Sequence, residues 1–206
     1  MESSLNNMQN HNENRELAEL KLIYLHLKGR FYESIGEINK SKTLLDKMVN
    51  LATERQNGWY LYEGYVQMIL RGIDIYDLDY VDSIVAKARG VEYIRNNPLC
   101  NANIMRHDGY NNIQKGNFNK GESLILKAIE ELLTLNNEEG FSIISAAYYC
   151  LGESQFIQGN YFESLKFYNK SIEYSNTNNS SFNSGVIYLG IGIDLFNMNE
   201  YTKAKR

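Results

Sequence analysis

One short sequence pattern recurs along this chain at intervals of about forty residues. A glycine, or an asparagine in the last copy, is followed two residues later by an aromatic residue or isoleucine and five residues later by a small residue. The copies begin at Gly36, Gly116, Gly159 and Asn199, so the last two steps are 43 and 40 residues and the first step, of 80, equals two repeats. Self-similarity at a fixed period of about 20 to 50 residues is the signature of a repeat architecture.

Each turn is preceded by a second glycine, seven residues earlier. Glycine inside a helix costs about 1 kcal/mol relative to alanine, so four such residues in register predict close contact with the helix that follows the turn. Small residues after the turns would allow the same close approach from the other side. The predicted packing residues are Gly29, Gly109, Gly152, Gly192, Ser41, Gly121 and Ser164.

The composition favours helices. The chain has one proline in 206 residues, whereas sheet-rich domains use proline and glycine in many turns. Its 43% hydrophobic and 12% aromatic content, with a net charge of -4, is typical of a folded chain rather than a disordered one. Long segments with helical apolar periodicity between the turns therefore predict an all-α protein.

The best copy of the pattern identifies a family. Tyr148-x2-Leu151-Gly152, followed by Gly159-x-Tyr161-x2-Ser164-x3-Tyr168-x2-Ser171, resembles a tetratricopeptide (TPR) repeat. The resemblance implies a right-handed α-α superhelix of about five helix pairs, the last of them incomplete. The expected units lie near 15–55, 58–96, 99–136, 140–176 and 180–206, after a disordered tail over 1–14, and the incomplete last unit suggests a chain truncated at its C-terminus.

The second unit departs from the pattern. Gly64 is its candidate helical glycine, the turn is expected near Arg71 and Gly72, and Leu78 is a candidate start for the following helix. Repeats near forty residues exceed the usual TPR length of about 34. Such long units resemble those in sensor regions of bacterial signalling regulators.

Several function classes are disfavoured. Basic residues are scattered among acidic ones, which argues against direct nucleic-acid binding. The polar N-terminus and the lack of an apolar run of about 18 residues predict neither a signal peptide nor a membrane span, so the expected location is cytoplasmic. Cys100 and Cys150 form no CxxC pair, the histidines and the aspartates near residue 77 form no chelating motif, and no catalytic motif occurs. We expect no metal, no cofactor and no enzymatic activity.

The resemblance implies that the first helix of each pair lines a concave groove. Counting from the helical glycine, the residues expected in this groove are His26, Arg30, Tyr65, Met68, Asn103, Arg106, Tyr110, Gln114, Tyr149, Glu153 and Phe156. Aromatic and arginine side chains are common anchors for a bound peptide. The positions that hold a C-terminal carboxylate in chaperone-binding family members do not carry the Lys and Asn pattern here, so an internal peptide segment or a folded partner is expected.

Three functions fit these features. The first is a protein- or peptide-binding module that uses the groove. The second is the ligand-sensing region of a larger bacterial signalling or transcription regulator whose output domain is absent. The third is a structural scaffold that assembles with itself, for which a homodimer is the simplest form.

Overall fold

The structure, a computed structural model, is helical throughout its regular part. It describes the backbone of residues 2–135, 138–177 and 184–204, with side chains from Arg15 onward, and it confirms the all-α prediction in these ranges. The predicted unit boundaries at 136, 180 and 206 lie outside the described residues. The helices are α1 (Glu2–Ser34), α2 (Ile38–Glu54), α3 (Gly58–Asp74), α4 (Leu78–Gly90), α5 (Glu92–Asn96), α6 (Pro98–Gln114), α7 (Phe118–Leu135), α8 (Glu138–Ile157), α9 (Tyr161–Thr177), α10 (Ser184–Asn197) and α11 (Tyr201–Ala204).

Consecutive helices form pairs, and the pairs stack in chain order. The pairs are α1 with α2, α3 with α4, α6 with α7, α8 with α9, and α10 with α11. The second helix of each of the first four pairs contacts the first helix of the next pair. First helices also meet directly, because α6 contacts α3 and α8, and α8 contacts α10. The described chain is therefore a helical-repeat array with its first helices side by side.

The apolar core is shared between neighbouring pairs. One buried cluster joins Leu25 and Met48 of the first pair to Leu61 of the second. A second joins Ile69 of α3 to Ile104 of α6, and a third continues from α6 through α7 to α8 and α9. No cluster belongs to one pair alone, as expected where a repeat cannot bury its apolar face by itself.

Left-handed backbone conformations mark the turns inside the pairs. Gly36, Gly116 and Gly159 have φ of 78°, 80° and 78°, and Asn199 has φ of 63°, which confirms the predicted turn residues. Tyr76 has φ of 58° in the second pair. It lies forty residues from both Gly36 and Gly116, so it fixes the register of the unit that departs from the pattern. The turn expected near residues 71 and 72 is wrong, since α3 continues past both, while α4 does begin at Leu78.

In the second pair, the large and the small residue of the helix contact change places. Seven residues before its turn stands Ile69, not a glycine, and Val81 occupies the place of the small residue. Gly72 provides the space instead, because a Cβ there would lie 2.5 Å from Cγ2 of Val81. Gly64 faces the preceding pair, where a Cβ would lie 2.4 Å from Cγ2 of Val49.

The predicted packing glycines divide into two groups. A Cβ on Gly109 would lie 2.7 Å from the backbone oxygen of Gly121, and one on Gly152 would lie 2.5 Å from Cε1 of Tyr168, so these positions require glycine. Gly29 and Gly192 differ from the prediction, since their nearest neighbours would be 3.8 Å and 3.9 Å away. The helices of the first and last pairs do not approach closely enough at these positions to exclude a methyl group.

Ser41 and Ser164 are buried between helices, where a close contact leaves room only for a small side chain. Ser41 accepts a hydrogen bond from Nη2 of Arg71 at 2.9 Å, which links the first pair to the second. The hydroxyl of Ser164 has no hydrogen-bond partner among the described residues.

Helix α1 begins at Glu2, within the range for which the sequence predicts a disordered tail. Residues 1–14 contain neither proline nor glycine. Extending a helix that is already formed and packed adds one hydrogen bond for each residue fixed, whereas nucleating a new helix is unfavourable.

We expect Gln56→Gly to raise the free energy of unfolding by about 1 kcal/mol. Gln56 is an exposed residue after α2 with φ of 53°, a conformation that is strained for every residue with a Cβ. Urea denaturation followed by circular dichroism would measure the change. The matched control is Gly116→Gln, which places a side chain in open space at φ of 80° and should lower stability by a similar amount. A loss of stability in Gln56→Gly would contradict the assignment of this turn.

Candidate functional site

A chain of hydrogen bonds joins three first helices through polar side chains. The Nδ2 of Asn103 on α6 donates to Oη of Tyr62 on α3 at 2.6 Å. The Oδ1 of Asn103 accepts from Nε and Nη2 of Arg106 at 3.1 and 2.9 Å. Tyr62 and Asn103 are buried, so water competes little with the hydrogen bonds of the Asn103 side chain.

Arg106 continues this chain towards α8. Its Nη1 donates to Sγ of Cys150 at 3.8 Å, and its Nη2 lies 2.7 Å from Nε2 of His107. Burial, and then the neighbouring charge of Arg106, lower the pKa of His107 well below its usual value. The imidazole is therefore neutral near pH 7, and its Nε2 can accept a hydrogen bond from Nη2 of Arg106. We call Tyr62, Asn103, Arg106, His107 and Cys150 the Arg106 cluster.

Among the described residues, no carboxylate forms an ion pair with the positive charge of this cluster. The described groups that accept hydrogen bonds from Arg106 are the amide of Asn103, the imidazole of His107 and the thiol of Cys150, all of them neutral. Its side chain is partly buried and is held by two bonds to one amide oxygen. These contacts use four of the five N–H groups of the guanidinium, which leaves one N–H on Nη1 that can donate a charge-assisted hydrogen bond to a carboxylate.

Three tyrosines stand beside the cluster. Tyr110 and Tyr149 pack partly buried against the core, and the rings of Tyr149 and Tyr168 lie 5.7 Å apart. Burial raises the pKa of all three hydroxyls, with the Glu153 carboxylate acting in the same direction. Oη of Tyr168 donates to Oε1 of Glu153 at 2.6 Å. All three hydroxyls stay protonated at neutral pH, and because Tyr168 is fully buried, only Tyr110 and Tyr149 have partly exposed rings.

The other residues predicted in the groove lie away from this cluster. Nδ1 of His26 is 3.5 Å from Nε2 of Gln67, between the first and second pairs, and Arg30 is exposed on α1. Tyr65 and Met68 pack at the junction of two core clusters, and the ring of Phe156 packs against Tyr161. The backbone oxygen of Gln114 accepts from Oη of Tyr76 at 2.9 Å.

Sequence reasoning did not place three members of the Arg106 cluster in the groove set. Tyr62, His107 and Cys150 are almost fully buried, and the count from the helical glycine selects exposed positions. The forty-residue period could have indicated these contacts, because residues about one repeat apart lie side by side on neighbouring first helices. Tyr62 and Asn103 are 41 positions apart, and Arg106 and Cys150 are 44 positions apart.

The acidic stretch after α3 has structural roles. The Oδ1 of Asp77 caps α4 by accepting from the backbone N–H of Tyr80 at 3.1 Å. Asp79 and Asp82 accept from Nζ of Lys115 at 2.9 and 2.7 Å, which ties the second pair to the third. No group of three metal-ligating side chains comes together in the part of the chain that was described.

Both cysteines are free and buried, and burial raises the pKa of each thiol. A thiol with a raised pKa is a poor nucleophile and a poor metal ligand at neutral pH. Among the helices described, none is both long and apolar enough for a membrane span.

Two adjoining surface pockets lie at a different place. Their volumes are about 630 and 890 Å³, and both are lined by Gln56, Gly58 and Tyr93 at the junction of α2, α3 and α5. Neither is lined by Asn103 or Arg106. Within the Arg106 cluster, Arg106 is the member that is only partly buried, so its guanidinium is the group that a ligand could reach.

Comparison with known proteins does not assign this chain to a family. No family model matches the chain, and no curated protein matches it. Among solved structures it is similar to MamA ("MamA AMB-1 P212121"), with 14% sequence identity and a TM-score of 0.40 over 90% of this chain and 87% of that one. The assignment as an all-α helical-repeat chain therefore rests on the stacked helix pairs described above.

Proposed function

We propose that this chain is a TPR-like binding module that holds a peptide segment of a protein partner on the face formed by its first helices, and that it is not an enzyme. The array of stacked pairs supports this proposal, because stacking creates a continuous surface across α3, α6 and α8. Repeat arrays use such extended surfaces for recognition.

The observation that carries the proposal is the guanidinium of Arg106, which has no ion-pair partner among the described residues. Asn103, His107 and Cys150 fix its position without neutralising its charge. A partly buried cation with no counter-ion favours a ligand that brings a carboxylate, either an acidic side chain or a chain terminus. Tyr110 and Tyr149 provide apolar ring surface beside it for the neighbouring residue of that ligand.

To test the proposal, peptides that bind the chain are first selected, and Arg106 is then substituted. Peptides selected from a random library against the intact chain should be enriched in Asp or Glu next to an apolar residue. For a selected peptide, we expect Arg106→Gln to raise the Kd by about 10- to 100-fold, since a charge-assisted, partly desolvated pair is lost. Isothermal titration calorimetry measures the change.

Two further variants sharpen this test. Arg106→Lys keeps the charge but loses the planar donor fork, so its affinity should fall between that of the wild type and Arg106→Gln. Arg95→Gln removes an exposed arginine on α5, outside the face, and should leave the Kd unchanged. Equal affinity of Arg106→Gln and the wild type for every selected peptide would exclude the Arg106 cluster as the site.

A further inference from the structure

Helix α1 carries an uncovered apolar stripe with heptad spacing. Leu17, Leu20, Tyr24, Leu27 and Phe31 follow one another at steps of three, four, three and four residues. They are 66%, 63%, 52%, 61% and 58% exposed, so the whole stripe faces solvent. Alternating steps of three and four are the a and d positions of a coiled coil, in which two helices interlock side by side.

The stripe is the second apolar face of this helix. Ala18, Leu22 and Leu25 are buried against the core on the opposite side, where α1 packs with α2. A surface helix normally shows one apolar stripe towards its core, with polar residues opposite. Two opposed stripes indicate a helix that is covered on both sides.

The position of the stripe shows what kind of contact it can make. Forty residues later, the equivalent positions of α3 make the contact with the preceding pair: Gly64 meets Val49, Gln67 meets His26, and Arg71 bonds to Ser41. That contact uses small and polar residues, which allow helices to approach closely. The large residues at the same positions in α1 would prevent such a close approach. They suit the wider spacing of a knobs-into-holes seam.

Charges beside the stripe select a partner and a direction. Glu16 and Lys21 are both exposed, at the g and e positions that flank Leu17 and Leu20. In a parallel pair of α1 helices, Glu16 of each copy lies across from Lys21 of the other, which gives two attractive contacts. An antiparallel pair would bring Lys21 towards Lys28 of the other copy, and this repulsion would offset the attraction between Glu16 and Arg30 that the same arrangement creates.

We propose that α1 pairs in parallel with α1 of a second copy of this chain, and that this seam forms a homodimer with twofold symmetry. The contact is isologous, so each stripe covers the same stripe of the other copy and the assembly closes at two. Because α2 already holds α1 as a helix from Arg15 onward, pairing does not have to fold it, which favours a short seam. The Arg106 cluster lies on α3, α6 and α8, so none of its members is part of the proposed seam on α1.

Sedimentation velocity of the intact chain over a range of concentrations tests the proposal. We expect a monomer–dimer equilibrium, and the double variant Leu20→Glu with Leu27→Glu should raise the dimer Kd at least about tenfold, because four charges would meet in one seam. Its circular dichroism should match that of the wild type, since both residues are exposed. The control Leu126→Glu changes an exposed leucine on α7 and should leave the dimer intact.

Arg30→Gln tests the direction of the pair: it should leave the parallel dimer unchanged, whereas it would weaken an antiparallel pair, in which Arg30 meets Glu16. A charge exchange tests the contact between Glu16 and Lys21 itself. Glu16→Lys should weaken the dimer by roughly threefold, and adding Lys21→Glu should restore it, because the two attractive contacts return with reversed signs. A chain that stays monomeric at every concentration would overturn the proposal. So would an assembly that Phe196→Glu, at the exposed face of α10, dissolves while the α1 variants do not.

Discussion

Replacing Gly109 with alanine is expected to lower the free energy of unfolding by about 2 to 4 kcal/mol, whereas the same change at Gly29 should raise it by up to about 1 kcal/mol. The two glycines occupy the same position of the repeat, seven residues before their turns. The opposite signs follow from the distances that a new Cβ would have to its neighbours.

The contact at Gly109 cannot relax locally. Its Cβ would lie 2.7 Å from the backbone oxygen of Gly121 and 2.6 Å from Cγ1 of Ile125. The backbone oxygen moves only if α7 moves away from α6, and that would open the buried cluster around Ile125. At Gly29 the nearest atom is Cβ of Leu44 at 3.8 Å, an ordinary contact, so only the better helix propensity of alanine remains.

Urea denaturation of both variants followed by far-ultraviolet circular dichroism measures the difference. Repeat arrays can unfold in parts, so the shape of the transition should be compared as well as its midpoint. If Gly109→Ala were as stable as the wild type, α6 and α7 would not be as close in solution as the structure places them.

Asp194→Asn is expected to raise the free energy of unfolding at pH 7.5 by about 2 to 3 kcal/mol. Asp194 on α10 is fully buried, and neither carboxylate oxygen has a hydrogen-bond partner among the residues described. Burial raises the pKa of Asp194 from 3.8 to about 6; the nearby Ser164 hydroxyl opposes this rise, and the Glu153 carboxylate adds to it. The Ser164 hydroxyl itself does not reach the geometry of a hydrogen bond.

The pH dependence has a definite sign. Because the pKa is higher in the folded state than in the unfolded state, folding favours the protonated acid. This contribution is fully present below about pH 4 and is lost as the pH rises through about 6. The wild type should therefore lose stability relative to Asp194→Asn between pH 4 and pH 7, and the difference between the two chains should be constant above that window.

Thermal and urea unfolding at a series of pH values, for both chains, would measure this difference. Glu130→Gln is a suitable control, because it removes one negative charge from an exposed position on α7. A stability difference between wild type and Asp194→Asn that did not change from pH 4 to pH 7 would show that Asp194 is solvated or paired in solution.

The repeat could be found from the sequence wherever glycine or asparagine marks the turn. Glycine and asparagine adopt the left-handed conformation more readily than other residues, and the structure has this conformation at Gly36, Gly116, Gly159 and Asn199. The turn at Tyr76 was missed because tyrosine rarely adopts this conformation and gives no signal of it. The exchange of sizes between Gly72 and Val81 also hid the unit, since each residue stands where the pattern expects the other kind.

How closely two helices approach is beyond sequence reasoning. Gly29 and Gly109 look alike in the pattern, yet one has space for a methyl group and the other does not. The nearest atom to a new Cβ would be 3.8 Å away at Gly29 and 2.6 Å away at Gly109, a difference set by packing across the whole pair. For the same reason, the pattern selected Arg106 and Asn103 for the groove but not Tyr62, whose hydroxyl comes from a different repeat.

Hydrogen–deuterium exchange of the intact chain, with and without a selected acidic peptide, tests the central claim most directly. The account predicts that the peptide slows exchange in α6 and α8, around residues 103–110 and 149–153, and much less in α7 and α9. Slower exchange confined to the second helices, or to the pockets around Gln56 and Tyr93, would contradict binding at the Arg106 cluster.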